Sequence, residues 1–273
     1  MSKLPDVSAL ILRQEGATLF VTIHQPEVKN ALTDDVIDAL EKVCTYLESA
    51  RDIRALVLRG SDGMFCSGGD IRTFKRNFET PLPEADERDR VAIFNRRFGL
   101  FLERFNMLPQ TTIGVIEGGA FGGGLGLACT VDIGIAHTET RFALTETSLG
   151  VLPAQIAPFV VQRVGLTNAR RLALSGARFK GEEAKALGVV HFVCATTEEI
   201  EAQLERVLTD IGRCAPGANA ATKKILQASL TEPLVQVLED AADAFARQLR
   251  SPEGQEGVKA FLEKRPAQWV GKR

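Results

Sequence analysis

The sequence has 273 residues, of which 45% are hydrophobic and 25% are charged, and its formal net charge at pH 7 is −2. This length and balance are typical of one large globular domain, or of one domain with a small helical appendage. A nearly neutral chain without a basic stripe argues against nucleic-acid binding, and no apolar run is long enough for a membrane span. The five cysteines lack metal-ligand spacing and predict reduced thiols in a cytoplasmic protein.

The first part of the chain shows alternating strand and helix patterns. Residues 18–24 alternate in polarity and are rich in β-branched residues, which predicts a strand. Thr33, followed by two aspartates, is typical of a helix N-cap, and apolar residues at helical spacing continue to Leu47. A buried strand is predicted over residues 55–58, followed by a loop over residues 61–70.

The middle of the chain continues this alternation after a charge-rich, proline-broken segment. We expect an irregular stretch from Ile71 and then a helix over about residues 86–105. Strand patterns at residues 112–116 and 131–136 flank a glycine-rich turn and a small-residue helix over residues 122–130. The repeated order of strand, loop, helix and strand predicts an α/β fold with crossover connections.

Beyond Pro153 the pattern is mostly helical. Helices are predicted over residues 156–165, 167–175, 182–187, 196–214, 216–230, 233–250 and 252–264. One last strand is predicted over residues 189–193. The sequence therefore divides into an α/β core over residues 1–195 and a C-terminal helical region over residues 196–273.

Two glycine-bearing loops each follow a predicted strand. The first is FCSGGD at residues 65–70, and the second is GGAFGGG at residues 118–124. Glycine permits close backbone approach, and a helix N-terminus presents unpaired amides. One amide from each loop could hold a thioester carbonyl oxygen as it gains charge, and one such donor is typically worth about 10²–10³ in rate. A glycine cluster also occurs in packing turns, so either loop alone is a weak indication of a site.

Five segments in chain order carry a more specific signal. They are residues 30–32 (NAL), 65–71 (FCSGGDI), 118–124 (GGAFGGG), 141–153 (RFALTETSLGVLP) and 261–265 (FLEKR). Together they resemble the motifs of the crotonase (enoyl-CoA hydratase/isomerase) superfamily over nearly the whole chain. The resemblance implies a repeated ββα spiral core with a C-terminal helical trimerisation region, and assembly as a homotrimer or homohexamer. It implies an acyl-CoA substrate, of which coenzyme A is a part, and no separate cofactor or metal.

The resemblance also implies roles for individual residues. The amides of Gly69 and Gly123 would form an oxyanion hole, and Glu146 would exchange a proton with the carbon next to the thioester. The implied residues for binding the acyl-CoA are Glu27, Val28, Lys29, Ser67, Gly69, Asp70, Ile71, Arg72, Gly122, Phe261 and Lys264. The last two match residues that reach the coenzyme A of a neighbouring subunit.

One position departs from the two-glutamate hydratases, which have a second glutamate shortly after the triple glycine. Gly126 stands at that position, and glycine cannot activate water or protonate a leaving hydroxyl. Glu117 is near in sequence, but the sequence does not bring it to the site. The segment PAQIAPF at residues 153–159 resembles the version in hydratases of branched glutaconyl-type CoA esters, some of which also have glycine at the position of Gly126.

The favoured function is therefore that of a lyase, a hydratase of a methylglutaconyl- or isohexenylglutaconyl-like enoyl-CoA. An enoyl-CoA isomerase or an acyl-CoA decarboxylase that uses a single glutamate is the first alternative. A non-catalytic CoA-ester-binding or scaffold protein is the second. Six phenylalanines between residues 74 and 105 are expected to divide between the wall of an acyl pocket and the helix core, with Phe98, Phe101 and Phe105 at core spacing.

Overall fold

The computed structural model describes residues 3–84 and 86–271 of the chain. The strands in these ranges are β1 (Leu10–Glu15), β2 (Thr18–Ile23), β3 (Ala55–Gly60), β4 (Thr111–Ile116), β5 (Gly119–Phe121), β6 (Ile133–His137), β7 (Arg141–Ala143), β8 (Arg178–Lys180) and β9 (Phe192–Cys194). The helices are α1 (Asp34–Ser49), α2 (Ile71–Phe78), α3 (Arg90–Asn106), α4 (Gly123–Thr130), α5 (Ala157–Ser175), α6 (Gly181–Ala186), α7 (Thr197–Arg213), α8 (Pro216–Ala228), α9 (Leu234–Arg250) and α10 (Pro252–Leu262).

The strands form two sheets. The larger has the order β1-β2-β3-β4-β6-β9, in which β1 is antiparallel to β2 and the remaining pairs are parallel. The smaller has the order β5-β7-β8, with β5 and β7 parallel and β8 antiparallel to β7. Parallel neighbours require crossover connections, and helices provide most of them in this fold. The predicted α/β class with crossovers is confirmed.

Apolar side chains are buried on both faces of the larger sheet. One face packs against the apolar side of α1, whose N-cap is Thr33, as the sequence predicts. The other face packs against α7 through Ile200, Leu204 and Val207. Each such side chain contributes about 1.5–3 kcal/mol when fully buried. The first helix after residue 195 thus lies directly on the sheet, and the division of the chain at that residue stays a prediction.

The segment that begins at Ile71 differs from its prediction. Residues 71–78 form α2 and not an irregular stretch, because the side chain of Asp70 caps the helix by accepting a hydrogen bond from the Arg72 amide at 2.9 Å. Helix α3 begins at Arg90, later than predicted, after the side chain of Asp89 caps it in the same way. The sequence pattern does not single out Asp70 and Asp89 as N-caps, because both lie in a segment that is rich in charged residues.

Other differences concern short or interrupted elements. The sequence pattern does not predict strand β1 or the three-residue strands β5, β7 and β8. The last three are too short to show a period. The two helices predicted over residues 156–175 form the single element α5, interrupted at Gly165, where φ is 74°. In the part of the chain that the structure describes, no helix combines the length and apolar character needed to cross a membrane.

Candidate active site

Backbone hydrogen bonds hold the two glycine-bearing loops side by side. The amide of Phe65 donates to the carbonyl of Glu117 at 3.0 Å, and the amide of Cys66 donates to the carbonyl of Gly119 at 3.0 Å. The carbonyl of Cys66 then accepts from the amide of Phe121 at 3.1 Å. This short parallel bridge fixes the register between the loops, so residues beyond it on each loop also lie together.

Gly69 and Gly123 each present an amide where the loops meet. Gly68, with φ 99°, fits closely enough that a Cβ on it would lie 2.7 Å from the carbonyl oxygen of Phe121 and 3.7 Å from the nitrogen of Gly123. Gly123 is the first residue of α4, so its amide has no acceptor within the helix. Neither amide donates a hydrogen bond to another residue in the described ranges. Two free donors on adjacent loops are the kind of groups that an oxyanion hole requires.

Glu146 lies against the second loop. Strand β7 pairs with β5, and the short 3-10 turn Glu146–Leu149 follows β7 and brings the carboxylate back to Gly122. A Cβ on Gly122 would lie 2.8 Å from Glu146 Oε1, and the φ of 49° at Gly122 favours glycine as well. A carboxylate therefore lies beside the residue that precedes Gly123 and its free amide.

The environment of Glu146 favours proton transfer. Its Oε2 atom is buried and has no hydrogen-bond partner among the described residues. Burial raises the pKa of Glu146 above its ordinary value, and hydrogen bonds from the Glu146 and Thr145 amides oppose this with a smaller effect. A carboxyl group with a raised pKa can accept and return a proton nearer to neutral pH than an exposed one.

Apolar side chains enclose the two amides. A Cβ on Gly69 would lie 2.9 Å from Phe74 Cζ, and a Cβ on Gly123 would lie 2.9 Å from Leu32 Cδ1 and 3.6 Å from Phe98 Cε1. Phe101 and Phe105, in contrast, are buried in the core, as their spacing predicts. Phe98 is partly buried and packs against that core as well, so its ring contacts both the core and the region of Gly123.

The space for a second carboxylate is filled. A Cβ on Gly126 would overlap the side chain of Ile156, and the three atoms nearest to it all belong to Ile156. Glu117 is half-buried at the end of β4, and its side chain makes no hydrogen bond or ion pair with another described residue. The atoms nearest to a Cβ at position 126 belong to Ile156 and not to an acid. The sequence shows glycine at position 126 but does not show that Ile156 packs against it, because the two positions are far apart in the chain.

Several of the predicted coenzyme A residues lie together. The amide of Ser67 donates to the carbonyl of Lys29 at 3.1 Å, and the hydroxyl of Ser67 donates to the carbonyl of Val28 at 3.1 Å. Glu27 belongs to the same short 3-10 turn as Val28. The buried side chain of Asn30 stabilises this turn, since its Oδ1 atom accepts a hydrogen bond from the Gln25 amide at 2.9 Å. The segment before α1 is thus attached to the first glycine-bearing loop.

The remaining predicted residues are more exposed. Arg72 donates from Nε to Asp70 Oδ1 at 3.0 Å, beside the exposed side chain of Ile71. Phe261, 83% exposed at the end of α10, and Lys264, just beyond it, have no contact with the glycine-bearing loops within the described chain. Their role towards a neighbouring subunit stays a prediction. No group of three or more His, Cys, Asp or Glu side chains in the described residues is placed to hold a metal ion.

The sequence and fold match those of known proteins. Residues 13–272 match the family model described as enoyl-CoA hydratase/isomerase. The structure of Pseudomonas aeruginosa AtuE is 45% identical and covers 96% of this chain and 100% of its own, with a TM-score of 0.91. That of an enoyl-CoA hydratase/isomerase from Marinobacter aquaeolei is 42% identical over 96% of this chain and 99% of its own, also with a TM-score of 0.91. The mitochondrial methylglutaconyl-CoA hydratase of Mus musculus is 29% identical over 95% of this chain and 82% of its own.

These matches span the glycine-bearing loops, Glu146 and the C-terminal helices together, and not one motif alone. The chain therefore belongs to the enoyl-CoA hydratase/isomerase family, with the crotonase fold.

Proposed function

We propose that the protein is an enoyl-CoA hydratase, a lyase, that acts on a branched, glutaconyl-type enoyl-CoA with one carboxylate. The observation that carries this proposal is the position of Glu146. It is a half-buried carboxylate, with one buried and unpartnered oxygen, beside Gly122, which precedes the free amide of Gly123. Because Ile156 fills the space at Gly126, the proposed chemistry relies on Glu146 and not on a second carboxylate at that position.

The reaction follows from this arrangement. The thioester oxygen is held by the amides of Gly69 and Gly123. Glu146, as a carboxylate, takes a proton from water while the water oxygen bonds to the β-carbon and the double-bond electrons move towards the thioester. The resulting enolate is stabilised by the two amides. Glu146 then returns the proton to the α-carbon, which gives the 3-hydroxyacyl-CoA and the starting carboxylate.

Support for a branched, carboxylated substrate comes from sequence. The segment at residues 153–159 resembles that of hydratases for such esters, and the mouse relative is named a methylglutaconyl-CoA hydratase. A substrate that has its own carboxylate also brings a polar group that can help to order the attacking water. This offsets the loss of the second glutamate.

One observation favours a second function. A 1,3-proton shift needs only one carboxylate and the oxyanion hole, and the packing of Ile156 against Gly126 removes the space for another. An enoyl-CoA isomerase that uses Glu146 is therefore the second candidate.

A panel of CoA esters separates these functions. Methylglutaconyl-CoA, crotonyl-CoA, 3-enoyl-CoA and glutaconyl-CoA are each incubated with the enzyme, and the products are analysed by chromatography and mass spectrometry. We expect the carboxylated, branched ester to gain the mass of one water. A product of unchanged mass and shifted double bond would indicate the isomerase, and loss of carbon dioxide would indicate a decarboxylase.

Glu146→Gln tests the proposed acid. We expect it to abolish hydration, while Glu139→Gln, a matched change at a surface glutamate paired with Lys180, leaves hydration intact. Full activity of Glu146→Gln would contradict the mechanism. Failure to bind any acyl-CoA would contradict the enzyme function altogether.

We also propose a homotrimer or homohexamer. The described part of the C-terminal helices exposes large apolar side chains, among them Leu234, Leu238 and Phe245 at 70%, 60% and 68% exposure. Such a surface is typical of an interface. Light scattering after size-exclusion chromatography gives the mass directly, and a monomer would contradict this proposal.

A further inference from the structure

Helix α3 presents one face to the glycine-bearing loops. Asn95, Phe98, Gly99 and Leu102 follow one another at helical spacing, so their side-chain positions share that face. Phe98 lies against Gly123, as its ring atom Cε1 is 3.6 Å from the Cβ position of that residue. Asn95 therefore lies three residues, roughly 4.5 Å, along the helix from Phe98.

Gln155 crosses from the segment before α5 to this face of α3. Its Nε2 donates to Asn95 Oδ1 at 2.9 Å. A Cβ on Gly99 would overlap Gln155 Oε1, so the absence of a side chain at position 99 leaves the space that the Gln155 amide occupies. Gln155 is followed directly by Ile156, which fills the space at Gly126. The amide of Gln155 is thus half-buried between α3 and the segment before α5.

A cation lies beside this amide. Arg96 Nη1 would be 2.8 Å from the same Cβ position on Gly99, so the guanidinium and Gln155 Oε1 lie over one glycine. Arg96 Nη2 also donates to Glu103 Oε2 at 3.1 Å, with the two side chains 40% and 64% exposed. An exposed ion pair is worth only about 0–1 kcal/mol, so a substrate carboxylate can compete for this arginine. Arg97, one residue later, instead points to Asp38 and Glu41 of α1.

We infer that Gln155, positioned by Asn95, and Arg96 are specificity-determining residues that bind the second carboxylate of the acyl group. This inference rests on the proposed function and names the residues that select its substrate class. The four carbon–carbon bonds from a thioester carbonyl to a C5 carboxylate span about 5 Å, from ordinary bond lengths. This is close to the roughly 4.5 Å along α3 that separates Phe98 from Asn95. A guanidinium and an amide N–H are suitable donors for a carboxylate.

The test measures binding and not turnover. Glutaryl-CoA and pentanoyl-CoA have acyl chains of the same length and differ at C5, where one has a carboxylate and the other a methyl group. Isothermal titration calorimetry gives the Kd of each for the full-length protein. We expect the wild type to bind glutaryl-CoA roughly tenfold to a hundredfold more tightly, the range for a hydrogen bond to a charged group.

Three variants locate the preference. Gln155→Glu keeps the shape but places a negative charge by the carboxylate, Gln155→Met keeps the volume without donors, and Arg96→Met removes the cation. We expect each to weaken glutaryl-CoA binding at least about tenfold and to change pentanoyl-CoA binding by less than about threefold. Gln14→Glu makes the same chemical change at a half-buried residue of β1, on another part of the chain, and is the matched control. Thermal melts verify that each variant is folded, and if Gln155→Glu does not fold, the two methionine variants decide.

Two results would overturn the inference. One is equal affinity of the wild type for both esters. The other is an equal loss for both esters in the folded methionine variants, which would assign these residues a structural role only. Because the two esters are saturated, neither result depends on hydration. A wild type that prefers glutaryl-CoA yet hydrates no ester in the panel would retain this inference and contradict the proposed function.

Discussion

Ile156 occupies the space into which a side chain on Gly126 would extend. Ile156 is only 3% exposed, and its Cγ2, Cβ and Cα are the three atoms nearest to a Cβ at position 126. Gly126 on its own would suggest a vacant place for a second carboxylate. The packing shows that Ile156 already fills this space. Positions 126 and 156 are therefore coupled, and a change at either one alone should lower the free energy of unfolding.

This coupling predicts the behaviour of Gly126→Glu. Alone, the substitution should destabilise the fold by at least about 1–3 kcal/mol, the usual cost of overpacking, and should add no hydratase activity. Ile156→Gly alone leaves a cavity and should cost about 2–5 kcal/mol. In the double variant the glutamate takes the vacated space, so we expect its cost to be lower than the sum of the two single costs by about 0.5–3 kcal/mol.

Denaturant unfolding of the wild type and the three variants gives this coupling energy, and hydration of crotonyl-CoA gives the functional result. We expect the double variant alone to gain activity on this ester, which has no carboxylate of its own. Strictly additive free energies of unfolding would show that Ile156 does not close the place at Gly126.

The oxyanion donors predict a second pair of variants. Gly69→Pro removes the amide hydrogen and should lower kcat about 10²–10³-fold. Gly69→Ala keeps the hydrogen and requires only that the ring of Phe74, 2.9 Å from the new Cβ, moves slightly. We therefore expect a much smaller decrease for alanine. Steady-state kinetics on the best ester of the panel measures both, and equal losses would show that space and not the hydrogen bond matters at this residue.

The sequence predicts the class of fold and the positions of the glycine-bearing loops better than it predicts what packs around them. Thr33, the buried strands and the glycine-bearing loops are local signals, and each is where it was expected. The packing of Ile156 against Gly126 and the bond from Gln155 to Asn95 join segments that are distant in sequence. Periodicity and capping rules describe neighbours along the chain, so they contain no information about such pairs.

The raised pKa of Glu146 sets the pH dependence of the reaction. In the proposed mechanism the carboxylate is the active form in the free enzyme. Because burial raises its pKa, kcat/KM should fall as pH decreases through a value above that of an ordinary glutamate, and should be level at higher pH until another group titrates. Stopped-time assays from pH 4 to 8, with a check for unfolding at each pH, give the profile. An acid limb at or below the ordinary range of glutamate would contradict the assignment.

The same carboxylate predicts an effect on stability. A group whose pKa is higher in the folded than in the unfolded protein favours folding below its unfolded pKa, and this contribution is lost as pH rises through the folded pKa. At neutral pH, Glu146 is therefore a charge buried without a partner for Oε2. Glu146→Gln should increase the free energy of unfolding near pH 7.5 by about 0.5–2 kcal/mol, the range of common stabilising substitutions.

This gain should shrink as pH falls, because the wild-type carboxyl group becomes protonated and the two proteins then differ little in charge. Urea unfolding at neutral pH and at the lowest pH where both proteins stay folded measures the difference. Glu139→Gln, which removes an exposed ion pair with Lys180, should show no gain at neutral pH and serves as the control. If Glu146→Gln is equally stabilising at both pH values, the gain does not come from the buried charge, and burial of the Glu146 carboxylate is not what raises its pKa.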